Sequence, residues 1–457
     1  MARRFVTSGI MFLTLGSIGQ PLRAAQAAAQ EARQPAATPA DQGRAQNEKA
    51  KAKAAREIGK SGDASGVPTL VADLRDPSVK VRREAVIALA QFRVPAALDA
   101  LLPATQDADS GVRLLAVKGV VGYYTGVSLG TGFTGFFKKQ YRRAKTRFVP
   151  ENTQIDPGVS VDPKVVTALV RTMNDGHFPQ ASREAAKGLG ILLAQPAVPD
   201  LVKAAHSSDQ DLARESLNSL AKIKDRSAGP ALLDLLNSPD KDVRRDASVT
   251  VGILRTRDAV PKLQAIFESD ADQKDKEKAL EGLAYLGDPV SVPSFVRALW
   301  RDDKTLRISA AEGLARASDP KTLPELQKAL GVEKDKKARL ADEFALAALG
   351  RDDYLAAIVH ELASKLYGDI ARAYLIELAR DEKFLPKLYP FLSEQDPAVR
   401  KRLCTVLMYS GNQSTLEHLE RLSHDSNGEV AAAALRASQA IRARTSGPAP
   451  APPAHKT

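Results

Sequence analysis

One nine-residue stretch decides the fold: Val81-Arg82-Arg83-Glu84-Ala85-Val86-Ile87-Ala88-Leu89. Within it Val81, Ala85 and Leu89 are spaced at i, i+4 and i+8, which places them on one face of an α-helix. The same three columns recur through the chain, mostly about 31 residues apart, and this regular period predicts an array of about twelve repeats. The other copies begin at Ala50 (a weaker copy), Val112, Ala181, Leu212, Val243, Asp275, Leu306, Ala338, Ile370, Val399 and Val430.

A second helix is predicted after each of these first helices, because many of the following segments open with proline. Examples are Val67-Pro68, Val94-Pro95, Val198-Pro199 and Val260-Pro261. Proline suits the first turn of a helix, where its missing N–H group would have no intrahelical partner. Each repeat is therefore expected to hold helix A, a short turn and helix B, and stacked repeats bury a continuous core. The predicted fold class is an all-α solenoid.

Two strings, Asp76-Pro77 through Ala85 and Asp396-Pro397 through Leu403, combine a turn aspartate, a proline and a Val-Arg pair. Together with the Val-Pro openings they resemble the HEAT repeat family, in particular the short HEAT-like repeats of the phycobilisome-lyase type. The resemblance covers residues 48–443 apart from one insertion. It implies an extended binding surface and a protein partner.

A basic residue often follows the first column, and an aspartate often precedes helix A. We expect these charges to pair through charge-assisted hydrogen bonds that tie repeats together, and so to form a structural ladder. The alternative is a row of phosphate-binding side chains, but uncharged residues interrupt the row at Ser182, Ala213, Ala371 and Ala431. The residues predicted for the ladder are Asp76, Arg82, Arg113, Asp240, Arg244, Arg307, Asp396 and Arg400.

The period fails once, where residues 126–162 form an insertion between helix A and helix B of the third repeat. Within it a segment of glycines and aromatics runs into a basic one, and residues 130–148 hold six bases and no acid. This composition predicts a contact element for a partner, an anionic membrane or an envelope polymer. The alternative is an extra helix that packs back on the array. The candidate partner-binding residues are Phe133, Phe136, Phe137, Lys138, Lys139, Tyr141, Arg142, Arg143, Lys145 and Arg147.

A second irregularity lies between residues 334 and 391, where aromatic residues are frequent. Asp342 and Tyr374 replace the small residue that most copies carry in the middle column. One interpretation is coarser packing in degenerate repeats. The other is a local change of curvature that presents an aromatic groove.

The N-terminus is typical of a secretion signal. Arg3 and Arg4 precede an apolar stretch from Phe5 to Ile18, and Ala25-Gln26-Ala27 offers a small-residue cleavage site. The stretch is shorter than the roughly 20 residues that span a bilayer. The protein is therefore predicted to be exported and to be periplasmic or secreted after cleavage.

The domain organisation follows from these features and from the Ala-, Gln- and Pro-rich composition of the two ends. The predicted segments are a signal peptide at 1–27, a disordered linker at 28–47, repeats 1–3 at 48–125, the insertion at 126–162, the remaining repeats at 163–443, and a disordered tail at 444–457.

The formal charge of +11 is concentrated outside the regular repeats. Removal of residues 1–27 leaves +8, of which residues 28–60 carry +3 and residues 125–149 carry +6. The rest of the chain is close to neutral. A near-neutral repeat body argues against a nucleic-acid-binding surface.

Residue types for catalysis are few and scattered. Cys404 is the one cysteine, and no two of the six histidines are spaced at i, i+4 on one helix face. One pair, His360-Glu361, is similar to those of the HEAT-repeat deoxyhypusine hydroxylases, whose di-iron site needs several such pairs. We therefore predict a scaffold without enzymatic activity and without a cofactor. The alternatives are an enzyme or enzyme subunit of the HEAT type, either bilin-lyase-like or like a metal-dependent hydroxylase, and a peripheral membrane-surface binder.

Overall fold

The computed structural model describes residues 39–126, 154–155, 159–269 and 271–445, and every regular element within those ranges is helical. Twelve first helices, the A helices, follow one another along the chain. They are α1 (Pro39–Ser61), α3 (Val79–Leu89), α5 (Ser110–Thr125), α7 (Pro179–Ile191), α9 (Gln210–Ile223), α10 (Lys241–Ile253), α12 (Gln273–Leu286), α14 (Lys304–Ala317), α16 (Lys336–Ala348), α18 (Gly368–Leu378), α20 (Pro397–Ser410) and α22 (Gly428–Thr445).

The second helices, the B helices, are shorter and alternate with the A helices. They are α2 (Val67–Asp73), α4 (Pro95–Ala104), α6 (Pro163–Met173), α8 (Val198–Ala205), α11 (Val260–Glu268), α13 (Val292–Ala298), α15 (Leu323–Val332), α17 (Leu355–His360), α19 (Leu385–Leu388) and α21 (Thr415–Leu422). In the fifth repeat two 3₁₀ helices, Arg226–Leu232 and Asp234–Asn237, take the place of helix B. The predicted solenoid of twelve repeats, with one insertion in the third, is confirmed.

The helix ends follow from residues visible in the sequence. The side chains of Asp109, Asp209 and Asp240 each accept a hydrogen bond from a backbone N–H in the first turn of the following A helix. Such caps satisfy donors that have no partner within the helix. Most B helices carry proline at their first or second position, for example Pro68 in α2 and Pro261 in α11.

The repeated columns form the core between the two helix layers. Val81, Ala85 and Leu89 are fully buried. Successive A helices lie in contact along the array, whereas successive B helices make few contacts with each other. Because the A helices are more closely spaced than the B helices, the array curves with the A layer on its inner side.

Glycines permit the closest approach between A helices. A Cβ atom on Gly252 of α10 would lie 2.4 Å from the carbonyl oxygen of Gly282 in α12. A Cβ atom on Gly282 would in turn lie 2.2 Å from the carbonyl oxygen of Ser248. Only a residue without a side chain fits at these two positions, since real contacts are never so short.

The prediction of disorder at the two ends is wrong where it overlaps helices. Residues 39–47 of the predicted linker belong to α1, and Arg444 and Thr445 of the predicted tail end α22. Residues 39–47 carry few apolar residues, so no buried face marked them as helical, although the Ala, Gln and Arg among them are good helix formers. The predicted signal peptide and the rest of the tail lie outside the described residues.

The first repeat keeps the predicted register but buries a different face. Lys51 of α1 forms an ion pair with Asp76, and Arg82 of α3 forms the equivalent ion pair with Asp107. The residue columns of the first two repeats are therefore aligned. Ala50 is nevertheless exposed, whereas Ala52 and Ala55 are buried. Within the described residues α1 packs mainly against α3 and less against α2, and most of its other residues are exposed.

The irregular region near residue 374 is a thickened part of the core. Phe344 of α16 and Tyr374 of α18 stack with ring centroids 4.3 Å apart, and both side chains are buried. A tyrosine in the middle column holds α18 away from α16, and these two helices contact each other little. The region therefore shows the coarser packing, and these two rings do not line an open groove.

Candidate partner-binding site

The predicted contact residues of the insertion, from Phe133 to Arg147, lie outside the described residues. Two residues that follow them are described and lie against the inner layer. The amide of Ile155 donates to the carbonyl oxygen of Ile191 at the end of α7 (3.0 Å), and Ile155 is buried. Gln154 Nε2 donates to the carbonyl oxygen of Lys222 in α9 (3.2 Å). The chain thus leaves the insertion across the ends of two A helices.

The five arginines predicted for the ladder each form an ion pair that joins one repeat to the next. Their partners are acids at or just before the next A helix, and none of these acids was among the predicted ladder residues. The pairs are Arg82 with Asp107 (2.9 Å), Arg113 with Asp175 (2.6 Å), Arg244 with Asp275 (2.6 Å), Arg307 with Glu333 (2.6 Å) and Arg400 with Asp425 (2.8 Å).

The same arginines also close the end of the preceding B helix. Arg82 Nη1 donates to the carbonyl oxygen of Asp76, and Arg400 Nη1 donates to that of Glu394. Where the arginine is replaced by Ser182, its hydroxyl donates to the carbonyl oxygen of Asp175 instead. These guanidinium groups are held by the protein itself, so the ladder serves the stacking of repeats.

The acids predicted for the ladder have two different contacts. Asp76 accepts from Lys51 Nζ at 2.7 Å, and so joins the first repeat to the second. Asp240 and Asp396 accept from the backbone amides of Val243 and Ala398, both at 2.8 Å, and so cap their own helices.

A cluster that the sequence did not single out lies on the solvent side of the inner layer. Arg316 of α14 makes a bidentate ion pair with Glu377 of α18, with N···O distances of 2.7 and 2.8 Å. The Arg316 side chain is only 8% exposed. Burial acts against the charge of Arg316, but the Glu377 carboxylate raises the pKa of this guanidinium above its ordinary value. Burial likewise opposes the charge of Glu377, yet Arg316 keeps the pKa of that carboxyl below its ordinary value.

Hydrogen bonds and an aromatic ring fix this ion pair in place. Glu312 lies 3.6 Å from Arg316 and accepts a hydrogen bond of 2.6 Å from the hydroxyl of Tyr374. The Arg316 guanidinium lies over the ring of Tyr285, 4.8 Å from its centroid. The α18 helix thereby reaches past α16 to contact α14, two repeats away in the chain.

Three more arginines surround the pair. Arg226, Arg255 and Arg380 are exposed overall, and Arg255 is close enough to the other two and to Arg316 to sense their charges. Desolvation lowers the pKa of the Arg255 guanidinium, and these positive neighbours lower it further. Within the described ranges none of the three forms an ion pair with a carboxylate. We call Arg226, Arg255, Arg316 and Arg380 the inner arginine cluster.

Asp225 and Asp381 are the sequence neighbours of Arg226 and Arg380, but the groups closest to the ion pair are mainly basic. The inner arginine cluster sets four guanidinium groups against two carboxylates, Glu312 and Glu377. Guanidinium groups bind carboxylate and phosphate through paired hydrogen bonds, and clustered arginines that repel one another gain most from an added anion. The arrangement can therefore hold a negatively charged group.

The sequence carried a signal for this cluster. Glu377 lies seven residues after Ile370, the first-column residue of its repeat. Most other repeats carry a small residue at this position. The equivalent residues are Ala88, Gly119, Gly188, Ser219, Thr250, Gly282, Gly313 and Ala345. In α18 both Glu377 and Tyr374 replace small residues, which indicates that this helix packs differently from the other A helices. The sequence alone does not show that Glu377 faces Arg316.

Other reactive groups in the described part of the chain are buried or isolated. Cys404 is fully buried, and burial raises the pKa of its thiol to about 12. His360 lies 3.5 Å from Glu394 and is exposed. Among the described residues there is no group of three or more His, Cys, Asp or Glu side chains that could hold a metal ion. In the same ranges, none of the helices combines the length and the apolar character that crossing a membrane requires.

No curated protein sequence matches this chain significantly. An engineered protein of known structure is 18% identical with a TM-score of 0.30, over 82% of this chain and 98% of its own. The complex of CpcE and CpcF of phycocyanin lyase from Nostoc sp. is 18% identical with a TM-score of 0.31, over 67% of this chain and 92% of that one. Kap121p is 12% identical with a TM-score of 0.34, over 82% of this chain and 45% of its own.

The family is shown by sequence. HEAT repeats match residues 41–120, 198–281 and 260–347, which together make up about half of the chain. The resemblance predicted from the Asp-Pro and Val-Arg strings is confirmed, and the chain belongs to the HEAT repeat family.

Proposed function

We propose that this protein is an exported scaffold that binds an acidic protein segment along the inner face of its A helices, without catalysis. One observation carries the proposal: the inner arginine cluster has more positive than negative charge, and three of its guanidinium groups are exposed and have no carboxylate partner in the described ranges.

The geometry favours an extended partner over a small anion. Arg226 lies in the fifth repeat, Arg255 in the sixth, Arg316 in the eighth and Arg380 in the tenth. Neighbouring helices lie roughly 8–10 Å apart, so the cluster spans several times the width of one carboxylate. Arg316 is held on α14, and Arg226, Arg255 and Arg380 lie in the short segments that follow A helices. Arginines around a buried ion pair are typical anchors of protein interfaces.

The bases and aromatics of residues 130–148 stay part of the proposal. Gln154 and Ile155, just after this segment, contact the ends of α7 and α9, which belong to the inner layer. At the same place burial lowers the pKa of Lys222 to about 8. A partner that follows the inner face would therefore pass close to the point where the insertion rejoins the array.

Export is the first expected result. If residues 1–27 are a signal peptide, N-terminal sequencing of the protein recovered from the envelope or culture fluid gives Ala28 as the first residue. An intact Met1 on the recovered protein would contradict export by cleavage.

Partner binding is tested by quantitative affinity capture of the intact protein from the envelope fraction of its own cells. Replacing Arg255 and Arg380 with glutamine is expected to lower the recovery of the main bound protein at least tenfold, because both guanidinium groups are lost from the interface. Recovery of the same bound protein is also measured with a variant that lacks residues 130–148, which reports on the contribution of the insertion alone.

The matched control replaces Arg75 and Arg436 with glutamine, which removes the same charge from exposed positions elsewhere. It should recover as much partner as the unaltered protein does. Equal losses in the control and in the Arg255 and Arg380 variant would show that net charge, and not the inner arginine cluster, governs binding.

A further inference from the structure

Large apolar side chains are exposed at three successive connections from helix B to the next helix A, with Val332 at the last residue of α15 and the other two in turns. They are Trp300, Val332 and Leu366, with 49%, 66% and 79% of their surfaces exposed. Trp300 and Val332 both lie six residues before the first column. In other repeats this position is polar; it is occupied by Arg75, Gln106, Asp175, His206, Asn237, Ser269, Ser364, Ser393 and His424.

Ion pairs show that the three turns are neighbours on one edge of the array. Lys304, in the turn of Trp300, contacts Asp335 in the turn of Val332 at 2.9 Å. Lys336 in turn contacts Glu361, which belongs to the turn of Leu366. The three apolar side chains therefore form one row, which we call the Trp300 edge.

Each turn of the Trp300 edge also carries an exposed base. Arg301 follows Trp300, Lys334 lies two residues after Val332, and Lys365 precedes Leu366. In contrast to Lys304 and Lys336, none of these three bases forms an ion pair with a carboxylate in the described ranges. The pattern of one exposed apolar residue beside one unpaired base thus occurs three times in succession.

We propose that the Trp300 edge attaches the protein to an anionic membrane surface, with its three apolar side chains in the interface and the three bases on lipid phosphates. Exposed apolar patches on soluble proteins mark interaction sites. Tryptophan favours the interface between water and acyl chains, and basic residues beside apolar ones are attracted to anionic lipids.

The shape of the edge favours a membrane over a protein partner. The three side chains lie at successive connections on the rim of the array and do not line a groove. A peptide partner would be bound more readily in a groove. A bilayer surface contacts such a row simultaneously. This attachment uses the rim and not the inner arginine cluster, so the inner face would stay open to a protein partner.

The experiment uses the fact that Trp300 is the only tryptophan of the chain, so its fluorescence reports on this edge alone. The full chain is mixed with vesicles of phosphatidylglycerol and phosphatidylcholine, and separately with vesicles of phosphatidylcholine. With the anionic vesicles we expect a blue shift of the emission, quenching by brominated acyl chains and reversal by high salt. With the neutral vesicles we expect no change.

Two variants keep Trp300 as the reporter. Replacing Val332 and Leu366 with serine, or Arg301, Lys334 and Lys365 with glutamine, should weaken binding to the anionic vesicles at least tenfold. A matched control is Val290→Ser, which removes an apolar side chain that is 61% exposed outside the row. Circular dichroism checks that each variant folds.

Three outcomes would overturn the proposal. The first is absence of binding to the anionic vesicles. The second is binding without any change in Trp300 emission, which would assign attachment to another part of the chain, such as residues 130–148. Protection of Trp300 by a captured protein, with no effect of vesicles, would likewise replace the membrane by a protein partner.

Discussion

Replacement of Glu377 with glutamine is expected to destabilise the middle of the array by about 2 kcal/mol. The change leaves Arg316 charged and 8% exposed, with an amide in place of its bidentate carboxylate. Removing one partner of a fully buried ion pair costs about 3–5 kcal/mol. The expected loss is smaller, because the glutamine oxygen still accepts one hydrogen bond and Glu312 stays 3.6 Å away.

Hydrogen exchange is the appropriate measurement, since long repeat arrays can unfold in parts. Amides of α14 and α18 should exchange faster in Glu377→Gln, while those of α3 and α5 should be unchanged. Glu382→Gln is the control, because it removes an exposed carboxylate from the turn just after α18. Equal exchange in both variants would mean that the pair contributes little to stability.

A second variant separates charge from packing. If Arg316 is replaced by methionine in the Glu377→Leu background, the cost of an unpaired buried charge disappears, and much of the stability should return. The same double variant removes part of the inner arginine cluster, so it would also be expected to weaken partner binding. Recovered stability together with weakened binding would show that the partner, and not the fold, requires this ion pair.

The fold was predictable because its determinants are local and repeated. Val81, Ala85 and Leu89 specify a buried helical face, and the copies of this face need only to be counted. Proline and aspartate specify where the helices begin. Proline has no N–H group that would need a partner in the first turn, and the aspartate side chain accepts hydrogen bonds from the N–H groups of that turn. Each repeat contacts mainly its neighbours, so no long-range pairing has to be known in advance.

The inner arginine cluster was not predictable in the same way. Arg316 and Glu377 are separated by a whole repeat, and their contact depends on the spacing that Tyr374 imposes between α16 and α18. The period describes what the repeats share, whereas this cluster depends on where they differ. The Trp300 edge was equally hidden, because the exposure of a turn residue depends on how the adjacent repeats stack.

Asp342 is expected to make the stability of the array fall as pH rises from about 5 to 8. The side chain is 3% exposed, and burial raises its pKa from 3.8 to about 8. The charges of Glu333 and Glu343 raise this pKa further, and those of Arg307 and Arg339 oppose the rise. Asp342 lies in the middle column, where most other copies carry alanine.

The sign follows from proton linkage. Between pH 3.8 and 8 the folded protein keeps a proton on Asp342 that the unfolded chain releases. Unfolding therefore releases a proton, and the free energy of unfolding decreases as pH rises, by at most about 1.4 kcal/mol per pH unit. The decrease ends above the folded pKa, where both states are ionised.

Asp342→Asn removes this linkage and keeps the shape of the protonated acid. From pH 5 to 8 the variant should gain about 2–4 kcal/mol in stability relative to the unaltered protein, measured by urea unfolding at several pH values. The partly buried acid Asp246, whose pKa is also raised by burial, titrates in both proteins and cancels in the difference. Asp258→Asn, at an exposed position, is the control and should leave the pH profile unchanged. Parallel profiles for Asp342→Asn and the unaltered protein would show that Asp342 is ionised in the folded state. The core near α16 would then have to hold a buried charge.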